Sequence, residues 1–192
     1  MSAAGTRAWL RAALARRPAA RLELAGHERA AILVPLLDGP GGPSLLLTVR
    51  SPHLTRHAGQ VAFPGGRVDV GEDDVAAALR EAREEVGLEV PPEAICGRLD
   101  EHASPFGLIA APIVACVPWP APLRLQAGEV SEAFVVPLAT LRAVRPSVEV
   151  RHTPVGPRRL YGYDVAGRRI WGLTGNVVRD LLSRLSAAEV AA

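Results

Sequence analysis

The spacing of apolar and polar residues changes several times along the chain, and each change predicts a new element. Near the N-terminus, apolar residues recur at helical spacing with arginines opposite them, which predicts an amphipathic helix over residues 3–17. Apolar runs bounded by Gly and Pro predict strands. The predicted strands are 29–37, 44–50, 95–99, 109–117, 132–136, 159–164 and 168–171, and the further helices are 73–86, 138–144 and 173–185. The first two strands and the last two suggest hairpins, and a Pro- and Arg-rich excursion precedes the second pair. This order predicts a mixed sheet with helices against it, an α/β sandwich.

The helix predicted over residues 73–86 has well-marked ends and one apolar side. Asp73 and Asp74 suit the positive N-terminal end of a helix, and Gly87 suits a left-handed C-terminal cap. The apolar side is a narrow stripe formed by Val75, Ala78, Leu79, Ala82 and Val86.

Three glutamates crowd together beside this stripe. Glu81, Glu84 and Glu85 stand at positions i, i+3 and i+4, where like charges cost a helix about 0.2–0.5 kcal/mol per pair. Such a conflict suggests that something positive lies between the carboxylates, and a magnesium-type cation, which prefers oxygen ligands, fits best. The alternative for glutamates taken alone is an ordinary solvated acidic face.

Composition narrows the class of protein. At 192 residues the chain is long enough for one substantial core and is expected to form one domain. The net charge of only +2 argues for no nucleic-acid or membrane partner, and the complete absence of lysine excludes a lysine nucleophile. Cys96 and Cys116 lie in apolar surroundings and are expected to be buried free thiols. Arginines interrupt the N-terminal apolar run and prolines interrupt the tract 105–122, so we expect no signal peptide or transmembrane helix, and a cytoplasmic protein.

Residues 66–88 follow a long pattern of fixed spacing, G-x5-E-x7-R-E-U-x-E-E-x-G-U, in which U is a bulky apolar residue. This pattern resembles the signature of the Nudix hydrolases. Its seven fixed positions are filled by Gly66, Glu72, Arg80, Glu81, Glu84, Glu85 and Gly87. The apolar positions hold Ala82, which is smaller than the usual aliphatic residue, and Leu88. We call residues 66–88 the box.

The resemblance implies both a fold and an activity. The fold is a Nudix-type α/β/α sandwich with a curved mixed β-sheet between helices, built as a single domain over residues 1–192 with an N-terminal helix in 1–20 and a core at 29–185. The activity is metal-dependent attack by water on a phosphorus of a nucleoside diphosphate linked to another group, with Mg²⁺ or Mn²⁺ as the cofactor.

The resemblance also implies a metal-binding set. Glu81 and Glu85 are expected to be direct ligands, and Glu84 a third or water-mediated ligand. The carbonyl of Gly65 resembles a further ligand, since a glycine there lets the backbone come close to an ion or phosphate.

Catalytic roles are implied for residues around the same helix. Arg80 is expected to pair with Glu72 and to brace the loop against the helix, with a water-mediated metal contact as the alternative for Glu72. For the general base, Glu84 comes first and Glu129 is the candidate outside the box. Weaker base candidates are Asp100 and Glu101, and the alternative for each carboxylate outside the box is a solvated surface position.

The segment before the box, residues 46–65, indicates which substrate the protein acts on. Residues 46–51, Gly59 and residues 63–66 resemble the L-L-T-x-R-S-x3-R-x3-G-x3-F-P-G-G motif of the coenzyme A pyrophosphatase subfamily. One departure is visible, because the second arginine of the motif falls on Thr55 and Arg56 lies one residue later.

Arginine suits a coenzyme A substrate because its fork matches the oxygens of the pyrophosphate and the 3′-phosphate. The implied substrate contacts are Arg50, Ser51, Arg56, His57, Gly59 and Phe63. Without the motif, Arg50 would be read as a surface arginine at a strand end, and for Phe63 a core position is favoured over stacking on adenine. Two later stretches, 129–138 and 170–174, resemble the same subfamily.

The implied reaction is hydrolysis of CoA or acyl-CoA to 3′,5′-ADP and 4′-phosphopantetheine or its acyl form. One alternative is a Nudix hydrolase for ADP-ribose, NADH or a dinucleoside polyphosphate. Another is a non-catalytic Nudix module that senses a nucleotide, which would be expected to have lost Glu81, Glu84 and Glu85. A homodimer is implied by the family resemblance only.

Overall fold

The structure, a computed structural model, describes residues 3–153 and 156–189. The helices are α1 (Ala3–Ala15), α2 (Asp74–Val86), α3 (Leu138–Ala143) and α4 (Gly172–Glu189). The first six strands are β1 (Glu28–Gly39), β2 (Gly42–Arg50), β3 (Val61–Ala62), β4 (Gly65–Arg67), β5 (Ile95–Arg98) and β6 (His102–Ala103). The others are β7 (Leu108–Pro118), β8 (Val130–Pro137), β9 (Ser147–Thr153), β10 (Gly156–Val165) and β11 (Arg168–Ile170). A 3-10 turn, Pro92–Ala94, precedes β5.

Eight of these strands form one mixed sheet. Its central order is β3-β2-β1-β7-β5, with β4 also paired to β1, β6 to β7 and β8 to β2. Strands β1 and β7 run parallel in a register that places Ile32 opposite Pro112, and the other pairings of this sheet are antiparallel. The remaining strands form a second sheet in the order β11-β10-β9.

Strand β1 reads as a continuous apolar run because both of its faces are buried. Val34 and Leu36 belong to a core shared with α1, α3 and α4. Leu33 and Leu37 point to the opposite side and belong to a core shared with α2. Helices thus cover both faces of the large sheet, which confirms the predicted α/β sandwich. Of the helices in the described residues, α2 is the one that packs on the second face.

The predicted helices and strands are found, but the short strands β3, β4 and β6 were not predicted, nor was a strand in the Pro- and Arg-rich excursion. That stretch contains strand β9, which pairs along β10 from Ser147 to Thr153. Val148 and Val150 remain about half exposed on β9, so no buried face marks this strand in the sequence. The excursion also includes residues 154 and 155, which lie outside the described residues.

Two smaller predictions concern the thiols and the membrane. Cys96 and Cys116 are buried, and neither forms a disulfide within the described residues, as predicted. Among the residues described, every helix is too short or too polar to cross a bilayer.

Candidate active site

Helix α2 begins and ends where the sequence predicts. Its caps and its buried apolar stripe determine the direction in which its glutamates point. Asp73 caps the N-terminus by accepting hydrogen bonds from the backbone N–H groups of Val75 and Ala76, each at 2.8 Å. Gly87 ends the helix in the left-handed conformation, with φ of 68°. The predicted stripe packs on the sheet, because Ala78, Ala82 and Val86 are fully buried and Val75 and Leu79 pack partly against the same core.

A buried ion-pair cluster anchors the first turn of α2. Asp74 accepts two hydrogen bonds from Arg29 on β1, both at 3.1 Å, and one from Arg98 on β5 at 2.6 Å. Arg29 also donates to Glu101 at 2.6 Å. The sequence suggested only a favourable helix end for Asp74, and nothing local revealed these partners, which come from strands distant in the chain.

Arg80 connects the turn of the box to the helix. Its guanidinium donates to both carboxylate oxygens of Glu72 at 3.1 and 3.0 Å, and to the carbonyl of Arg67 at 3.0 Å. It also donates to Glu81 at 2.8 Å and to the exposed Glu84 at 3.3 Å. The bidentate hydrogen bonds hold the pKa of Glu72 below its usual range. Arg80 therefore holds the turn of the box against helix α2, which is the role expected from the sequence.

Glu85 lies deepest in the site. It is 4% exposed, and its Oε2 accepts a hydrogen bond from the backbone N–H of Gly65 at 3.1 Å. The pKa of Glu85 is raised to about 7, chiefly by burial and also by the negative charges of Glu81 and Glu129. The Gly65 hydrogen bond and the positive charge of Arg50 oppose this shift. A carboxylate buried among other carboxylates is a position that a cation would stabilise.

Glu81 lies against the glycine turn that precedes the helix. A Cβ at Gly66 would stand 2.3 Å from Oε1 of Glu81, so only glycine leaves room for this carboxylate. Burial raises the pKa of Glu81, and Arg80 opposes the shift. A Cβ at Gly65 would instead meet the backbone carbonyl of Ala31 at 2.4 Å, so this glycine serves the close approach of two strands.

The donor set fits a hard divalent cation. Glu81 and Glu85 offer carboxylate oxygens, and the space at Gly66 receives the carboxylate of Glu81. Their pKa values are raised mainly by burial and in part by neighbouring negative charge, and a bound cation would stabilise both carboxylates in the charged form. Glu81 and Glu85 are therefore the residues that would hold the ion, with Glu84 beside them. No three Asp, Glu, His or Cys side chains in the described residues already stand together as a metal site, since Glu81 and Glu84 turn toward Arg80. The assigned ligand roles, including that of the Gly65 carbonyl, stay predictions.

The base candidate outside the box lies near the same carboxylates. Glu129 is exposed, and its negative charge contributes to the raised pKa values of Glu81 and Glu85. Its backbone carbonyl accepts a hydrogen bond from the N–H of Ser51 at 2.8 Å, which joins the loop before β8 to the end of β2. Glu84 and Glu129 therefore both remain candidates for the base.

The predicted substrate contacts divide between the site and its rim. Arg50 ends β2 close enough to Glu85 to affect its pKa, and the Nε of Arg50 is buried without a hydrogen-bond partner in the described part of the chain. Arg56, His57 and Gly59 are exposed in the loop that follows, where Nδ1 of His57 lies 2.9 Å from Oε1 of Gln60. Ser51 is buried, and its hydroxyl oxygen accepts from the backbone N–H of His53 at 3.4 Å.

Three sequence candidates are occupied elsewhere in the fold. Phe63 is 4% exposed inside the core shared with α1 and α4. The substrate contact implied by the motif is therefore corrected to the core position that the sequence itself favoured. Glu101 pairs with Arg29, and Asp100 pairs with Arg17 and Arg184, so both of these weak base candidates belong to structural ion pairs.

Comparison with known proteins agrees with this geometry. Residues 26–157 match the family model described as "NUDIX domain". Proteins named "Uncharacterized Nudix hydrolase NudL" are similar to this chain: that of Escherichia coli O6:H1 is 41% identical over 171 residues, which cover 86% of each chain, and that of E. coli K12 is 40% identical over the same length.

Solved structures show the same fold. The MutT protein from Methanosarcina mazei Go1 superposes with a TM-score of 0.57 at 20% identity and covers 87% of this chain and 99% of its own. The Nudix hydrolase RenU from M. smegmatis has a TM-score of 0.50 at 27% identity and covers 62% of this chain and 76% of its own.

Proposed function

We propose, from the premise that this chain belongs to the Nudix family, that its substrate is coenzyme A or an acyl-coenzyme A. Membership in the family makes it a pyrophosphohydrolase that acts on a phosphorus-containing anhydride of a nucleoside diphosphate derivative. The proposal concerns which derivative. Water adds across the P–O–P bridge, and the products are 3′,5′-ADP and 4′-phosphopantetheine or its acyl form.

Nudix hydrolases use divalent metal ions, and we assign Mg²⁺ or Mn²⁺ to Glu81 and Glu85, with Glu84 as a further ligand. A divalent ion would neutralise the charge that builds on the phosphate oxygens and lower the pKa of water. The remaining tasks of the protein are placement and electrostatics. Arg80 holds Glu81 through a 2.8 Å hydrogen bond while it clamps Glu72, so it positions a ligand and is expected to make no contact with substrate.

Proton transfer needs a carboxylate with access to water. Glu84 and Glu129 are both exposed, whereas Glu85 is buried and hydrogen-bonded to Gly65. We therefore assign the base to Glu84 or Glu129. Activity that survives Glu84→Gln and disappears in Glu129→Gln would select Glu129, and the reverse would select Glu84.

The observation that carries the coenzyme A assignment is the position of the motif before the box. Strand β2 delivers Arg50 beside Glu85, and the hydrogen bond from Ser51 to the Glu129 carbonyl holds that strand end against the candidate base. Thr174, in the closing stretch 170–174, donates to the carbonyl of Val61 at 3.0 Å and so supports strand β3 in the same motif. Stretches of the subfamily motif that are separate in the sequence thus adjoin one another at the ends of β2 and β3.

We propose that two arginines share the phosphates of coenzyme A. Among the described residues, the buried Nε of Arg50 has no hydrogen-bond partner, which suits the pyrophosphate that is cleaved. Arg56 is exposed in the loop after β2 and has no hydrogen bond or ion pair within the residues described, which suits the 3′-phosphate at the outer end of the ligand.

A substrate panel tests the proposal. The purified protein is incubated with Mg²⁺ or Mn²⁺ and with CoA, acetyl-CoA, ADP-ribose, NADH or a dinucleoside polyphosphate, and the products are resolved by chromatography. We expect 3′,5′-ADP from CoA with the highest kcat/KM of the panel. Turnover of ADP-ribose with none of CoA would overturn the substrate assignment and leave the hydrolase intact.

A further inference from the structure

A cavity of about 410 Å³ lies between helix α1 and strand β5, away from the box. Three arginines line it, Arg11 from α1, Arg21 from the segment after α1 and Arg98 from β5, and none of its lining residues is acidic. We infer that this cavity, the α1–β5 pocket, binds a phosphate group, either as inorganic phosphate or as a phosphate monoester.

The positive charge of the pocket is only partly compensated. Arg11 donates to backbone carbonyls, that of Glu93 at 2.6 Å and that of Ile95 at 3.2 and 3.0 Å, so these contacts orient its guanidinium and leave its charge unpaired. Arg21 is exposed and, within residues 3–153 and 156–189, forms no hydrogen bond or ion pair. Arg98 lines the pocket, but its guanidinium donates to Asp74 of α2, so the uncompensated positive charge comes from Arg11 and Arg21.

The thiol that lines the pocket adds no opposing charge. Burial raises the pKa of Cys96 to about 11, against the lowering effect of Arg11 and Arg7, so the thiol is neutral at physiological pH. A dianion therefore enters a site where positive charge dominates, and arginine forks match phosphate oxygens bidentately.

The volume and the apolar lining of the pocket indicate a ligand larger than a single phosphate group. A volume of about 410 Å³ exceeds what one phosphate group fills and lies in the range of small-molecule sites. Leu14, Ala15 and Ala19 form an apolar wall that would pack against the organic part of a monoester.

The pocket touches the catalytic helix through a single ion pair. Arg98 lines the pocket and donates to Asp74 at 2.6 Å, and Asp74 is the first residue of α2. No residue of the metal-binding set lines the pocket. Binding there is separable from binding at the box, so the inference stands or falls independently of the proposed substrate.

Calorimetric titration of the full chain, with a chelator present, tests the inference. The probes are inorganic phosphate, glycerol 3-phosphate and AMP at fixed ionic strength and pH 8. Arg21→Gln is the main variant because that exposed side chain forms no hydrogen bond or ion pair in the described residues, and Arg145→Gln, also at an exposed arginine, is the matched control. Ala19→Phe fills the cavity and leaves every charge in place.

Phosphate or a monoester is expected to bind the wild-type chain and the Arg145→Gln variant equally. Arg21→Gln is expected to weaken binding about tenfold, the loss of one charge-assisted contact, and Ala19→Phe to abolish it. The probe with the highest affinity identifies the source of the phosphate group. Binding that Arg21→Gln and Ala19→Phe both leave unchanged, in variants with wild-type circular dichroism, would overturn the inference, as would the absence of binding by all three probes.

Discussion

The backbone N–H of Gly65 donates a hydrogen bond to Oε2 of Glu85 at 3.1 Å, and this bond connects the turn before the box to the last turn of helix α2. The neighbouring glycine, Gly66, makes room for the carboxylate of Glu81. Two adjacent glycines thus seat two glutamates of the same helix face, which makes the turn part of the site.

Replacing Glu85 by glutamine is expected to abolish most activity and to keep the fold. The amide has the same shape and still accepts from Gly65, and it avoids the cost of burying a charge, so the free energy of unfolding should be unchanged or higher. Loss of a metal ligand should lower kcat by about 100-fold or more. The comparison is with Glu89→Gln, an exposed glutamate just beyond the helix. Full turnover by a folded Glu85→Gln variant would contradict the ligand assignment.

Gly66→Ala is expected to impair activity, and Gly65→Ala is expected to impair stability. At Gly66 the added Cβ meets only the end of the flexible Glu81 side chain, at 2.3 Å, so the fold should survive while the displaced carboxylate lowers activity at least tenfold. At Gly65 it meets backbone atoms of β1, so the protein should unfold several degrees lower.

Thermal unfolding and kcat, measured on the same preparations, separate the two outcomes. Gly41→Ala is the control, because a Cβ there has open space, and it should leave both quantities at the wild-type level. Equal losses of stability at Gly65 and Gly66 would refute the distinction.

Arg80→Gln is expected to lower both activity and stability. Glu72 loses its bidentate partner and Glu81 loses its 2.8 Å hydrogen bond, so the turn and the ligand are both released. We expect a 10- to 100-fold lower kcat, a size typical of groups that orient metal ligands. Arg83→Gln, an exposed arginine on the same helix, should have little effect, and a wild-type rate for Arg80→Gln would rule out the bracing role.

The sequence predicted those elements whose boundaries depend on neighbouring residues in the chain. The period of the apolar residues, the Asp73 cap and the Gly87 terminus are all set within α2, so the sequence predicted both ends of that helix. The apolar run of β1 likewise marked a central strand, since burial on both faces leaves a continuous hydrophobic stretch.

Contacts between distant segments left no such signal. Asp74 meets Arg29 and Arg98 only after β1, β5 and α2 have packed, and the sequence presents it as one of two acids at a helix start. Phe63 differs, because its place in a substrate motif implied a ligand contact while its apolar character favoured the core, and the structure buries it in the core that includes α4. Strand β9 was missed because its apolar residues stay exposed.

Asp74→Asn is expected to destabilise the protein at neutral pH by about 2–3 kcal/mol, because two arginines lose their common carboxylate. Burial alone would raise the pKa of Asp74, but the hydrogen bonds from Arg29 and Arg98 outweigh it and hold the pKa below its usual range. A depressed native pKa gives stability that is complete above the unfolded value of about 3.9 and is lost as the pH falls through the native value.

The difference between wild type and Asp74→Asn should therefore shrink in strong acid. Urea unfolding at pH 7 and at pH values below 4 measures it. The control Asp73→Asn keeps a capping side chain and should track the wild type at every pH. A stability difference that does not change with pH would mean that the ion pairs contribute nothing to it.

Arg56→Gln tests the shifted arginine of the substrate motif. If Arg56 binds the 3′-phosphate, its loss should lower kcat/KM for CoA about tenfold, the value of one charge-assisted hydrogen bond, and should leave hydrolysis of dephospho-CoA unchanged. The side chain is exposed, so stability should not move. The double variant Thr55→Arg/Arg56→Gln returns the guanidinium to the position of the motif without changing the net charge, and it should recover at least part of the activity on CoA. If Arg56→Gln lowered the rates on both substrates equally, the arginine would act on the pyrophosphate they share; if it lowered neither, the loop would have no part in substrate binding.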